Sequence, residues 1–226
     1  VSDLRLIVFD VDGTLVDSQA TIVAAFAAAF AAVGRPAPPR ADILASIGRS
    51  LPDCLVQLMP GAGADTRQQA AQAYRAAFAR SLTAGAEAAP LFPGIGDLLR
   101  ALAAQPATLL GIATGKSRRG LAALLDAHRL GGVFQTVQTA DAHPSKPDPA
   151  MLRACLVETG IDRSRAAFVG DTTFDMAMAR ALGASAIGVG WGYHAAADLH
   201  AAGAEAVARD AAALARLLDR VAGGMP

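Results

Sequence analysis

The sequence predicts an α/β fold: a parallel sheet of about five strands flanked by helices, with an all-helical domain inserted into it. Three observations carry this reading. Five short runs are nearly continuous in apolar residues, as strands covered on both faces are. Helical patterns separate the later runs, so strand and helix alternate as in right-handed βαβ units. The long interval from Val16 to Ala89 holds helical patterns and no strand pattern. The sheet is therefore expected to be Rossmann-like in its connections.

The first run, "LRLIVF" (4–9), passes directly into "DVDGT" (10–14). The helical insert follows. "SQATIVAAFAAAFAAVG" opens with Ser18 as N-cap and lines up Ile22, Phe26, Phe30 and Val33 on one stripe. After the loop "GRPAPPR" comes "ADILASIG", and then "DTRQQAAQAYRAAFARSL", where Thr66 and Gln69 have the spacing of a capping box. Phe26, Phe30 and Phe78 are expected to form the core of this insert. "LFPGIGDLLRAL" (91–102) returns the chain to the α/β body, punctuated by Pro93 and Gly94. The expected division is a discontinuous core, residues 1–16 and 90–226, and a helical cap, residues 17–89.

The remaining strands are expected at "TLLGIAT" (108–114), "VFQTVQT" (133–139), "AAFVG" (166–170) and "SAIGVG" (185–190). Between them, "SRRGLAALLDAHRL" spaces Leu121, Leu124, Leu125 and Leu130 close to a helical period, with Ser117 as N-cap. "DPAMLRACLVETG" opens on Asp148 as N-cap with Pro149 at the first position and closes on Gly160. "DMAMARALG" closes the same way on Gly183.

Composition removes several function classes. Lys+Arg and Asp+Glu are 20 each, so no basic excess invites nucleic acid or an anionic membrane surface. No apolar stretch approaches the ~20 residues of a bilayer span. "VSDLRLIVFD" has no basic region leading into an apolar one, so no signal peptide is expected. With two cysteines in helical surroundings, the expected setting is cytoplasmic and reducing. The pattern fits a monomer or a homodimer.

In an open parallel sheet, ligands bind beyond the carboxyl ends of the strands. There the sequence places Asp10 and Asp12 after the first strand, and Thr114, Gly115 and Lys116 after the second. Lys146 follows the third at some distance, and Asp171 and Asp175 follow the fourth. Carboxylates this close repel unless a cation or shared proton resolves them. A hard divalent cation, Mg²⁺, takes such oxygens. Beside it, Asp10 is the candidate nucleophile and Asp12 the candidate acid/base. Thr114 and Lys146 are candidates to hold phosphoryl oxygens, and Thr14, Gly115 and Lys116 join the candidate substrate-binding set.

"DVDGT", "TGKS", the lysine of "SKPDP" and "GDTTFD", in this order, resemble the four motifs of the haloacid dehalogenase-like superfamily. The helical insert directly after the first motif resembles its members with a C1-type cap, among them phosphoglycolate phosphatase-like and beta-phosphoglucomutase-like proteins. "LFPG", "GWGY" (190–193 region) and the last helix extend the resemblance over the whole chain. It implies Mg²⁺ held by the Asp10 side chain, the Asp12 backbone carbonyl and Asp171. It implies Asp175 as a supporting carboxylate near Lys146, and a small phosphorylated metabolite as substrate. It also implies a residue near Arg49, in "SIGRS", that recognises the substrate; a solvated arginine is the alternative reading.

Other readings compete. Gly111 and Gly115 stand one residue too close for a nucleotide-binding P-loop at "GIATGKS". A haloacid dehalogenase or phosphonate hydrolase has no use for Asp12, and a receiver module has no place for the insert. A beta-phosphoglucomutase-like mutase tends to carry "DGV" where this chain has Asp12-Gly13-Thr14. The mutase and a non-catalytic binder of phosphometabolites stay open beside the favoured phosphomonoester hydrolase. The four histidines lack metal-ligand spacing, and His194 alone lies where it borders the expected site.

Overall fold

The computed structural model describes residues 4–83 and 89–222. Its sheet has six parallel strands in the order β3-β2-β1-β4-β5-β6. These are β1 (Arg5–Phe9), β2 (Thr108–Thr114), β3 (Thr136–Thr139), β4 (Ala166–Gly170), β5 (Ser185–Val189) and β6 (Ala206–Ala208). The strand β1 lies at the centre, with Val8 paired to Gly111 of β2 on one side and to Phe168 of β4 on the other.

The apolar runs are continuous because alternate residues serve opposite faces. Ile7, Phe9, Leu110, Ile112, Val169 and Ile187 pack on one face. There they meet α5 (Ile95–Ala103), α6 (Arg118–Ala127) and α10 (Ala211–Ala222). Leu6, Val8, Ala113 and Phe168 pack on the other, against α7 (Ala150–Thr159), α8 (Thr173–Leu182) and α9 (Ala196–Ala201). Among the described residues, no helix is long and apolar enough to cross a membrane.

Between β1 and α5 the chain forms α1 (Gln19–Ala32), α2 (Arg40–Ser46), α3 (Leu51–Leu58) and α4 (Ala64–Thr83). These enclose a core of their own, including Ile22, Phe26, Phe30, Ile43, Leu55 and Met59. Val33 of the expected stripe packs at its edge. The chain leaves the sheet and re-enters it side by side. Asp17 donates its backbone N–H to Pro90 (2.9 Å), and Phe92 donates to Leu15 (3.0 Å). The end of the expected cap includes residues 84–88, which lie outside the described residues.

Several local expectations need correction. The sheet gains β6, whose three residues are too few to show a strand period. The third strand starts at Thr136 because Val133 and Phe134 turn onto the core; Gln135 still docks on Leu110, donating its N–H (2.8 Å) and accepting at Oε1 (2.7 Å). Helix α7 begins at Ala150, after Pro149, and Asp148 accepts from the Ala150 N–H (2.8 Å). Thr66 lies inside α4, which starts at Ala64, so it forms no N-terminal capping box. Ser18 precedes α1 without capping it, because its hydroxyl is drawn elsewhere. Ser117, Gly160 and Gly183 terminate their helices as the sequence suggests.

Candidate active site

The carboxyl ends of β1, β2 and β4 meet under the helical insert. The turn after β1 closes through Leu15 N–H to Val11 O (2.8 Å) and Gly13 N–H to Val16 O (3.0 Å). Gly13 sits at φ +83°, and a Cβ there would lie 2.2 Å from Asp171 Oδ2. A side chain at this position is excluded both by backbone conformation and by space. The absence of one lets the β1 turn lie directly on Asp171.

Asp10, Asp171 and Asp175 are buried, and one oxygen of each can be chosen so that all lie within 4.8 Å of one another. Asp171 accepts from Thr14 Oγ1 (2.8 Å) and from the Tyr193 backbone N–H (2.8 Å). Asp175 accepts from Thr172 N–H (3.0 Å) and Oγ1 (2.7 Å), the reciprocal cap of α8. Lys146 is buried among them, its Nζ 2.7 Å from Asp175 Oδ1 and 3.0 Å from Asp10 Oδ1. The contact with Asp10 is an ion pair without hydrogen-bond geometry, so that oxygen has no hydrogen-bond donor.

Burial pushes the Asp10 carboxyl up to about 6; Lys146 opposes this, and Asp175 and Asp12 add to it. Burial also holds Asp171 well above the usual carboxylate range, with Asp175 and Asp10 adding repulsion. For Lys146 burial acts to lower the value, but Asp10 and Asp175 together raise it. One ammonium therefore pairs with two of the three clustered buried carboxylates, Asp10 and Asp175, leaving negative charge without a partner. Hard oxygen donors with uncompensated charge fit a divalent cation of the Mg²⁺ type. Asp175 already has Lys146 at hydrogen-bond distance, which leaves Asp10 and Asp171 as the carboxylates best matched to a cation.

Asp12 stands in a different setting. Its side chain is partly exposed, Oδ1 accepts from Ser18 Oγ (2.6 Å), and Lys116 Nζ lies 2.9 Å from both oxygens. Thr114 is buried at the end of β2, and its hydroxyl accepts from the Lys116 N–H (3.2 Å). At Gly115 the insert comes down on the core: a Cβ there would lie 2.5 Å from the Arg49 carbonyl oxygen.

A sequence profile described as "Haloacid dehalogenase-like hydrolase" matches residues 7–189, most of the chain, a span that takes in Asp10, Asp12, Thr114, Lys116, Lys146, Asp171 and Asp175. The chain belongs to the haloacid dehalogenase-like hydrolases.

Within this family, "Probable phosphatase IndB" of Dickeya dadantii is 40% identical over 200 residues, 87% of this chain and 86% of its own. A phosphoglycolate phosphatase of Caulobacter vibrioides is 35% identical over 190 residues, 83% of this chain and 79% of that one. The crystal structure of a hydrolase from Pseudomonas syringae superposes with a TM-score of 0.85 at 27% identity, covering 96% of this chain and 98% of that one. The expectation of a phosphatase in this superfamily is met.

The structure of this hydrolase brings Asp10, Asp12, Lys116, Lys146, Asp171 and Asp175 together. Thr14 adjoins them with its hydroxyl committed to Asp171 rather than turned toward a substrate. Arg49 lies at the margin: Nη1 donates to Gln57 Oε1 (2.8 Å), and the guanidinium carbon stands 5.5 Å from the Phe174 ring centroid. His194 is behind the site. Its Nδ1 accepts the first N–H of α8, from Thr173 (3.1 Å), and burial lowers its pKa.

Three contributors were not legible as site residues. Ser18 and Tyr193 share a hydrogen bond (3.0 Å) beside Asp12, and Phe78 of α4 lies against Lys116. Ser18 has the sequence position of a cap and Phe78 the spacing of core, and "GWGY" by itself gives its tyrosine no partner.

Proposed function

We propose that this hydrolase is a Mg²⁺-dependent phosphomonoesterase acting on a small phosphorylated metabolite through an aspartyl-phosphate. The observation carrying this reading is the contrast between the two carboxylates of "DVDGT". Asp10 is buried and paired with Lys146, as suits a fixed nucleophile; Asp12 is partly open to solvent and held by Ser18 and Lys116. Asp10, the Asp12 carbonyl and Asp171 are the proposed holders of the cation. When bound it would neutralise the gathered carboxylates and draw charge from the phosphoryl oxygens.

In the first step an Asp10 oxygen attacks phosphorus, the ester P–O bond breaks, and Asp12 delivers a proton to the departing oxygen. Lys146 and Thr114 hold phosphoryl oxygens, and Gly115 lets the loop approach them closely. In the second, Asp12 takes a proton from water as that water attacks the aspartyl-phosphate, releasing phosphate and restoring Asp10. Residues 17–89 are the proposed cap, closing over the first step and admitting water for the second. The naming of relatives such as that of Caulobacter vibrioides supports phosphoglycolate as the first substrate to try.

The test is phosphate release from a panel of small phosphate esters, with and without Mg²⁺. Mg²⁺-dependent release that Asp10→Asn loses supports the reading, and the ranking of esters identifies the leaving group. Release that survives Asp10→Asn would remove the nucleophile assignment.

A further inference from the structure

Lys116 joins helix α4 of the insert to Asp12 in an unbroken series of contacts. Its backbone belongs to the core, where its N–H is held by Thr114 Oγ1 (3.2 Å). Its side chain is only 6% exposed. The ammonium lies 2.9 Å from both oxygens of Asp12 and 4.7 Å from the centroid of the Phe78 ring. That ring is fixed in the insert: it stacks on Tyr74 (6.1 Å, 17°), and Tyr74 packs at 4.8 Å on Phe26 of α1. On its other side Asp12 is held by Ser18, which in turn meets the Tyr193 hydroxyl.

We infer that Lys116 is a positioning residue for Asp12, and that Phe78 of the cap sets its position. The inference rests on the phosphomonoesterase reading. A general acid acts only from within hydrogen-bond reach of the departing oxygen. Asp12 has two side-chain torsions to fix, and an ammonium against both oxygens fixes the carboxylate plane. A lysine in water has many rotamers and holds nothing in place. The electron-rich ring face confines the ammonium to one place. Phe78 is carried by the cap, so Asp12 is aimed when the insert lies down on the core and released when it lifts. A lysine serving the substrate's phosphate alone would have no reason to span Asp12 and an aromatic ring of α4.

The experiment compares benzyl phosphate, whose alkoxide needs a proton to leave, with p-nitrophenyl phosphate, whose phenolate does not. The readout is the ratio of kcat on the two esters. Lys116→Met keeps the apolar stem and removes the charge; Phe78→Leu keeps apolar bulk and removes the ring. Each is expected to lower the benzyl-to-nitrophenyl ratio by ~10-fold or more, with Phe78→Tyr restoring it. A rise in KM on both esters at unchanged ratio would make Lys116 a substrate-binding residue and overturn the inference. Equal losses of kcat on both esters would reduce the contact to packing and overturn it equally. Phe78→Leu reads the same quantity if Lys116→Met fails to fold. A separate control keeps the two readings apart: if Asp12→Asn leaves the ratio unchanged, the acid role of Asp12 has failed, not its positioning.

Discussion

Lys146 bridges Asp10 and Asp175, its ammonium 3.0 Å from the first and 2.7 Å from the second, with all three side chains essentially excluded from water. The arrangement ties the end of β1 to the start of α8 through a loop that is remote from both in sequence.

Lys146→Met removes the cation and leaves Asp10 and Asp175 buried without it. Breaking a buried pair from one side costs about 3–5 kcal/mol. Urea unfolding at neutral pH is expected to show a loss of that order; an unchanged midpoint would mean the pair contributes nothing net to the fold.

The Asp10 carboxyl has a usual value of 3.8 and is raised to about 6 in the folded protein. The folded state therefore binds more protons than the unfolded state between these limits. Its contribution to stability is greatest below the lower value and is lost as pH rises through the upper one. In metal-free buffer, the stability advantage of Asp10→Asn over the wild type should grow from about pH 4 to pH 6 and then level off. Thermal unfolding across this range tests the sign, and a flat difference would place Asp10 in a polar, solvated setting.

Thr14→Val keeps the shape of the side chain and removes the donor to Asp171 (2.8 Å). Groups that orient a metal-binding carboxylate are typically worth 10–100-fold in affinity. Titration with Mg²⁺, followed by the rise in Tm, should show weakening of about that size. Equal affinity in both proteins would mean that Tyr193 N–H alone suffices to orient Asp171.

Cys54 and Cys155 are buried, and burial pushes their thiols up to about 11 and about 12 respectively. Thiolate is the reactive form, so neither should react with a thiol-specific reagent in the native protein at neutral pH. Both should react once denaturant is added. Rapid labelling of the native protein would reveal local opening of α3 or α7, where they reside.

Sheet, helices and motif residues were legible because each is written locally. Continuous apolar runs such as "LIVF" encode strands buried on both faces, and Gly160 and Gly183 encode helix ends by their left-handed backbone. The carboxylates, Thr114 and Lys146 stand out as candidates because strand ends in a parallel sheet must converge. The sequence alone thus determined the α/β class, the place of the insert and a list of candidate site residues.

Tertiary structure decided the partners. Nothing local distinguishes Ser18 as a helix cap from Ser18 as a donor to Asp12, since both uses need the same hydroxyl at the same position. Phe78 reads as core by its helical spacing, and only the approach of α4 to the loop after β2 gives its ring to Lys116. Tyr193 reaches Ser18 across a sequence separation of 175 residues. Hydrogen bonds and cation–ring contacts depend on distances between atoms that are remote along the chain. Hydrophobic periodicity records which face a residue takes, and carries no information about what it meets there.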